Sequence, residues 1–113
     1  MREYLQFYID GQWVDPVEAK TCDVINPATE AVCAHISLGG EADVERAVAA
    51  ARRAFESYSQ TSRQERVELL ESCVATYEKY YNDIADAIRE EMGAPRSLAV
   101  KAQAHAGLGH LQE

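Results

Sequence analysis

Three cysteines and three histidines are the residues of this chain best suited to nucleophilic or metal chemistry: Cys22, Cys33, Cys73, His35, His105 and His110. A thiol reacts as the thiolate, so it needs a neighbouring base or positive charge. Cys33 falls inside a predicted strand, and Cys73 falls on the apolar flank of a predicted helix, where a free cysteine behaves as a small hydrophobe. The sequence therefore assigns no cysteine as a nucleophile and predicts no catalytic residue in these 113 positions.

The same residues give no pattern that is typical of a metal site or a disulfide framework. The cysteines are odd in number and lack the Cys-x-x-Cys spacing of zinc ligands. His105 and His110 are five residues apart, which places them on different faces of a helix. We therefore predict no bound metal.

Composition and charge exclude several classes of partner. The chain has 113 residues, 47% of them apolar, and a net charge of −8, with the acidic residues spread along it. Nucleic acid and anionic lipid need clustered Lys and Arg, so neither is an expected partner. No run of 18 apolar residues is present, and "MREYLQFYID" lacks the apolar stretch of a signal peptide. A cytoplasmic, reduced location is the default expectation.

The first third of the chain reads as β-structure. Phe7, Ile9 and Trp13 alternate with polar residues around Asp10-Gly11, which is a hairpin turn signal. Two further strands are predicted at 22–24 and 32–36, separated by the turn "NPATE", in which Asn26 accepts backbone hydrogen bonds and Pro27 presets φ.

From Gly39-Gly40 onward the apolar period becomes helical. In the first helix, spacings of three and four predict one apolar face: Val44, Ala47, Val48, Ala51, Phe55 and Tyr58. Ser62 and Glu65 form a capping-box signature for the next helix.

The second predicted helix runs from this cap to Gly93, a natural C-terminal cap, with Pro95 preventing continuation. Its apolar residues form a heptad-like stripe: Val67, Leu70, Val74, Tyr77, Tyr81, Ile84 and Ile88. A helix of about 30 residues would be about 45 Å long, which exceeds the diameter of a small domain. The stripe therefore favours packing inside a larger domain over a coiled coil, since tyrosines are poor choices at a coiled-coil seam.

A third helix is predicted from near Ser97, with one face made of Leu98, Ala102, His105 and Leu108. The predicted organisation is thus a β-hairpin region over residues 1–38 and a helical region over residues 39–113. As a fold class this is α+β, with N-terminal hairpins followed by three helices.

The order of these features resembles the N-terminal part of aldehyde dehydrogenases. The segments that carry the resemblance are "FYIDGQWVD", "VINPATEAV", "GGEADVERAVAAARRAFESYSQTSRQERVELL" and "EEMGAPRSLA". Members of that family commonly have an "I-[DN]-G-x-W-V" hairpin, an "NPATGE"-like turn, "AAR-x-AF", "R-x-x-LL" and "E-x-GKP". Each motif alone is weak, whereas five in the same order, from Phe7 to at least Leu98, are specific.

The resemblance implies an enzyme that oxidises an aldehyde to a carboxylic acid with NAD or NADP. It also implies that this chain is a portion of the α/β, Rossmann-like NAD-binding domain. The family's catalytic cysteine, its water-activating glutamate, its oxyanion-hole asparagine and its adenosine-binding lysine all lie downstream of the matched segment. We therefore expect an inactive N-terminal fragment that binds no cofactor, has no catalytic, cofactor-binding or metal residues, and serves as scaffolding.

Two positions depart from the family pattern. Glu30 stands where the family usually has Gly, so this turn either places Glu30 in the left-handed region or is redrawn. Some members bind a cation at the carbonyl of the residue before "NP", here Ile25, with an acidic side chain that would fall near His105. Because His105 is not acidic, we expect no cation there.

The expected partners are the remainder of the parent chain, further copies in a homo-oligomer and the parent's small aldehyde substrate. The rival hypothesis is an autonomous helical interaction module without enzymatic activity. It predicts a monodisperse chain that unfolds cooperatively, whereas a fragment would expose apolar faces and self-associate.

Overall fold

The computed structural model describes all 113 residues, with the strands in the first third and the helices after it. The strands are β1 (Arg2–Tyr4), β2 (Phe7–Ile9), β3 (Gln12–Val14), β4 (Thr21–Asn26) and β5 (Ala31–Ser37). The helices are α1 (Glu41–Tyr58), α2 (Arg63–Lys79), α3 (Tyr81–Met92), α4 (Arg96–Leu98), a π-helical segment (Ala99–Gln103) and α5 (Ala104–Gln112). The predicted α+β class, with hairpins before helices, is confirmed.

Strands β2 and β3 form a two-stranded antiparallel ribbon, as the Asp10-Gly11 turn predicts. Tyr8 pairs with Trp13 across the ribbon, and their ring centroids lie 5.2 Å apart. Asp10 and Gly11 have φ values of +56° and +74°, the combination that a two-residue type I′ turn requires.

A second sheet has the strand order β1-β5-β4. The short turn between β4 and β5 makes them a hairpin, as predicted. Strand β1 was not predicted from the sequence; it runs parallel to β5, with Glu3 opposite His35. Three residues without alternation give no local signal, and their partner strand lies about thirty positions away.

The chain divides into two compact units. Unit 1 comprises residues 1–25 and 32–61, and unit 2 comprises residues 26–31 and 62–113. Thus the "NPATE" turn belongs with the helices of unit 2. There Pro27 lies against the end of α3, where a Cβ built on Gly93 would be 2.7 Å from its Cγ.

Helix α2 begins as the capping box predicts. The Glu65 N–H donates to Ser62 Oγ at 3.1 Å, and the Ser62 N–H donates to Glu65 Oε2 at 2.6 Å. Helix α3 ends at Met92 and is capped by Gly93, which has φ +68° and whose N–H donates to Arg89 O. These short-range signals are read correctly because each involves residues within four positions of one another.

The single helix predicted between these caps is wrong. The chain leaves α-helical geometry at Tyr80, with φ −101° and ψ 12°, so that α2 ends at Lys79 and α3 begins at Tyr81. Hydrophobic spacing does not detect this break, because the apolar residues continue at intervals of three and four on both sides of it.

The predicted face of the third helix is also wrong in part. Leu108 is buried as expected, but Leu98, Ala102 and His105 are exposed. The fully buried positions are instead Ala99 and Ala104, each 0% exposed. The π-helical segment changes the period at this point, so a face drawn at α-helical spacing diverges from the one that packs.

Candidate functional site

The cysteines have no basic partner among the contacts that surround them. Cys33 Sγ donates to Val24 O at 3.3 Å, and Cys22 is exposed with its thiol directed at Asp23 O. Cys73 is exposed on α2, beside a groove lined by Ser72, Thr76, Tyr77, Tyr80, Ile84 and Leu111, none of which is a base able to activate a thiol near neutral pH. The structure therefore supplies no activated thiol at these positions.

His35 lies on β5 between two carboxylates. Its Nε2 is 3.2 Å from Asp23 Oδ1, and its Nδ1 is 4.0 Å from Glu3 Oε1. The two ring nitrogens face opposite carboxylates, an arrangement that links strands within the sheet when the imidazole is protonated. Because the two carboxylates face different nitrogens of the ring, the three groups do not point toward one position where a metal ion could bind.

The other histidines, His105 and His110, are exposed on α5. The structure contains no group of three or more His, Cys, Asp or Glu side chains arranged to hold a metal ion.

A groove with a volume of about 770 Å³ surrounds the start of α1. It is lined by Val17, Glu18, Lys20, Gly40, Glu41, Ala42, Asp43, Glu45 and Arg46. A helix N-terminus attracts anions through its free N–H groups. Here a carboxylate of this chain already occupies the helix N-terminus. We therefore interpret the groove as a structural contact and not as an anion-binding site.

That carboxylate belongs to Asp43, which is 4% exposed. Its Oδ2 accepts from the Gly40 N–H at 3.0 Å, and its Oδ1 accepts from the Val17 N–H at 3.0 Å. The bond from Gly40, then the bond from Val17 and the charge of Arg46 together hold the pKa of Asp43 below its ordinary value of 3.8. Asp43 thereby ties the loop after β3 to the start of α1.

The sequence analysis did not identify this role of Asp43, although one of its two bonds has a local signal. An acid at the third helical position after Gly39-Gly40 predicts a bond back to the residue that precedes the helix. The second bond, to Val17, spans 26 positions and leaves no local signal.

The two long helices leave most of their predicted apolar faces uncovered. On α1, Val44, Val48, Phe55 and Tyr58 are all exposed, with Phe55 at 67%. On α2 no residue is buried, and Leu70 is 48% exposed although it belongs to the predicted stripe. Apolar side chains at heptad spacing on an exposed helix are typical of a surface that packs against another element.

A buried acceptor adds to this picture in unit 2. Gln103 Oε1 is shielded from water and accepts no hydrogen bond from the surrounding residues. Buried polar atoms in native proteins nearly always have a partner. Each unit thus has its own candidate functional surface, whose chemistry is packing: the uncovered α1 face in unit 1 and the uncovered α2 face in unit 2. No helix in the structure has the length and apolar character needed to cross a membrane.

Comparisons with known proteins bear on both of these uncovered faces. Residues 13–113 match the model of the aldehyde dehydrogenase family. The chain is 56% identical over 111 residues to a 3-succinoylsemialdehyde-pyridine dehydrogenase from a Pseudomonas species, covering 97% of this chain and 23% of that protein. It is 44% identical over 110 residues to a putative aldehyde dehydrogenase of Staphylococcus aureus, again covering 23% of that protein.

Solved structures give the same result. The crystal structure of aldehyde dehydrogenase from Bartonella henselae superposes with a TM-score of 0.97 at 41% identity, covering 99% of this chain and 24% of that one. Aldehyde dehydrogenase C from Pseudomonas syringae, crystallised with NAD+ and octanal, superposes with a TM-score of 0.92 at 41% identity over 95% of this chain and 22% of its own. The chain thus spans about a quarter of the length of the proteins that it matches, and it belongs to the aldehyde dehydrogenase family.

Proposed function

We propose that this chain is the N-terminal scaffolding portion of an aldehyde dehydrogenase that oxidises an aldehyde to a carboxylic acid. In this proposal residues 1–113 form the outer part of the NAD-binding domain and contribute no catalytic, cofactor-binding or metal-binding side chain. The catalytic groups are supplied by the rest of the parent enzyme.

The exposed stripe of α2 is the observation that carries the proposal. A 17-residue helix with Val67, Leu70 and Val74 on one face, yet with no buried residue, is only partly covered by its contact with α5 and needs a further partner. The relatives contain about three times more chain than is present here, which supplies such a partner. The exposed apolar row of α1 supports the same assignment.

The proposal extends to cofactor, assembly and location. NAD or NADP serves the parent enzyme, in keeping with the NAD+ bound in the Pseudomonas syringae and Mycobacterium tuberculosis relatives. The resemblance further implies a cytoplasmic homo-oligomer. One substrate to assay is a semialdehyde attached to a pyridine ring. It is suggested by the name of the 3-succinoylsemialdehyde-pyridine dehydrogenase, to which the chain is 56% identical.

A chimera tests the scaffolding role. Residues 1–113 replace the matching segment of the Bartonella henselae enzyme, whose backbone they reproduce closely. We expect the chimera to reduce NAD+ in the presence of an aldehyde, at a rate within about tenfold of the host, since the reacting groups are unchanged. The isolated chain should produce no NADH. Activity of the isolated chain, or a folded chimera without activity, would contradict the proposal.

A matched pair of variants localises the effect to the α2 stripe. Leu70→Glu places a charge on the apolar stripe, whereas Ala75→Glu places the same charge on the exposed polar face beside Glu71. In the chimera, Leu70→Glu should strongly reduce soluble, active enzyme and Ala75→Glu should not, because only the stripe is desolvated there. In the isolated chain both variants should leave the helix content unchanged.

Sedimentation of the isolated chain separates this proposal from an autonomous interaction module. Uncovered apolar rows predict concentration-dependent self-association, which Leu70→Glu should weaken. A chain that stays monodisperse over the whole concentration range would favour the module instead.

A further inference from the structure

The last helical segment, residues 96–112, contains an inserted residue that two tyrosines of α2 and α3 hold in place. Ala99 and Ala104 are both 0% exposed and therefore lie on one face. In an α-helix, positions five apart differ by about 140° around the axis and do not share a face. Here the Ala104 N–H donates to Ala99 O, a bond spanning five residues, so the π-helical turn aligns the two alanines.

Where α-helical bonding resumes after a π-helical turn, one backbone carbonyl is left without a backbone N–H donor. The N–H of Ala104 is already used by Ala99, so the next carbonyl, that of Val100, has lost its usual α-helical donor. The Tyr81 hydroxyl donates to Val100 O. Tyr77, one turn earlier, donates to Ala104 O at 2.8 Å. The hydroxyls of Tyr77 and Tyr81, four positions apart, thus donate to two carbonyls that are also four positions apart in the last helical segment.

A close approach at Gly107 selects the same register. A Cβ built on Gly107 would lie 2.5 Å from the Tyr77 hydroxyl oxygen and 3.0 Å from its Cζ. Gly107 is eight positions beyond Ala99. With purely α-helical spacing, the residue seven positions beyond, Ala106, would come to this place, and its methyl group would collide with the ring.

We propose that the Tyr77 and Tyr81 hydroxyls and Gly107 form a register lock that holds residues 96–112 in the π-inserted form. Without the lock, the segment relaxes to a continuous α-helix and residues 104–112 turn by about one position, or about 100°. The lock determines which side chains of α5 face outward, His105 and His110 among them. This inference rests on contacts within unit 2 and does not depend on the proposed enzymatic role.

A double-mutant cycle on the 113-residue chain tests the left-over carbonyl. Tyr81→Phe removes the donor to Val100 O, and we expect the unfolding equilibrium constant to rise about tenfold. Deletion of the exposed Ala102 removes the extra residue, so no carbonyl is left over. In that background Tyr81→Phe should change the constant less than about twofold. Equal losses in both backgrounds, or unfolding caused by the deletion itself, would overturn the proposal.

Two glycines of α5 provide the second test. Gly107→Ala meets Tyr77, whereas a Cβ on Gly109 has nothing within 4 Å. Gly109→Ala should lower the unfolding constant severalfold through helix propensity, and Gly107→Ala should raise it. The Gly107→Ala penalty should vanish when Tyr77 is also changed to Ala. If both alanine substitutions stabilise the chain, the contact with Tyr77 does not select the register of α5.

Direct observation of the register comes from NMR of the Tyr77→Phe/Tyr81→Phe chain. Conservative loss of two hydroxyls should replace the medium-range contact between Ala99 and Ala104 with one between Ala99 and Gln103. A chain that keeps the contact between Ala99 and Ala104 would show that the tyrosines bind the π-helical turn without holding it.

Discussion

Left-handed backbone occurs at an open turn in unit 1 and, among its places in unit 2, at a crowded helix end. In unit 1, Asp10 and Gly11 have φ +56° and +74°, and a Cβ on Gly11 would meet nothing within 4 Å. In unit 2, Glu30 and Gly93 have φ +57° and +68°, and Gly93 lies against Pro27. The backbone conformation is the same, so the difference lies in what surrounds it.

This comparison separates local from tertiary requirements for glycine. The turn in unit 1 needs glycine only for its positive φ. The dipeptide Asp-Gly predicts such a turn from the sequence alone. The helix end in unit 2 needs glycine for its angle and also for its lack of a side chain. The second need arises because the "NPATE" turn, more than sixty positions earlier, packs against Gly93.

Alanine at the two glycines should give the largest difference between the units. Gly11→Ala should cost about 1 kcal/mol, the price of a left-handed alanine. Gly93→Ala should cost about 3 kcal/mol or more, because the new methyl group must also displace Pro27. Urea unfolding of the 113-residue chain, followed by circular dichroism, measures both.

The pair also contains its own control. Pro27→Ala removes the Cγ atom that Gly93→Ala would strike, so the cost of Gly93→Ala in that background should fall toward that of Gly11→Ala. Equal costs for the two glycine substitutions in the native background would mean that Pro27 does not crowd the helix end.

A second difference concerns the carboxylates at the starts of α1 and α2. Asp43 accepts two backbone N–H groups, from Gly40 and Val17, whereas Glu65 accepts one, from Ser62. An amide has one acceptor oxygen, so Glu65→Gln can keep its bond but Asp43→Asn must turn an NH2 group toward an N–H donor. At pH 7, Asp43→Asn should lower the urea midpoint by roughly 0.8 M and Glu65→Gln by much less.

Acid titration tests the same two groups. The hydrogen bond from Gly40 and the hydrogen bond from Ser62 place the pKa values of Asp43 and Glu65 below their ordinary values of 3.8 and 4.5. Each unfolded carboxyl thus binds protons at higher pH than the folded one. Their stabilisation is complete above the ordinary values and declines as pH falls below them. Asp43→Asn should flatten the decline below about pH 3.8; an unchanged acid limb would contradict this assignment.

The features predicted correctly from the sequence all depend on neighbouring residues. Asp10-Gly11, the Ser62 and Glu65 cap and the Gly93-Pro95 stop each act within a few positions, so residue type alone specifies the geometry. Glu30 is an instructive case, since the sequence left two alternatives open. Its φ of +57° shows that the turn keeps the left-handed position despite the missing glycine.

The features missed depend on partners distant in sequence. The bond from Val17 to Asp43 requires the loop after β3 to return to α1. The π-helical turn becomes visible only when Tyr77 and Tyr81 are seen to reach Ala104 and Val100. The exposure of Val44 and Phe55 follows because the α1 surface beside the β2–β3 ribbon is formed by small residues, Ala50 among them, and not by the larger apolar row.

The absence of catalytic residues from this segment stays a prediction, since it concerns the parent enzyme. The sequence analysis based it on the resemblance and assigned no cysteine as a nucleophile. Packing faces were predicted as stripes, but which of them would lie uncovered could not be read from periodicity. A stripe specifies that a helix needs a partner and does not specify where in the protein the partner lies.

The smallest predicted effect returns to the left-handed positions, now at their non-glycine members. Glu30→Gly should stabilise the chain by about 1 kcal/mol, because glycine adopts φ +57° without the Cβ penalty. Asp10→Gly should change stability little, since aspartate tolerates this region and the exposed ion pair with Arg53, 3.0 Å apart, contributes little. Urea midpoints measured side by side test the sign. A loss of stability on Glu30→Gly would mean that the glutamate side chain makes a compensating contact in unit 2. The Thr29 and Glu30 N–H groups both donate to Asn26 O, so the turn is held by its backbone and should accept the glycine.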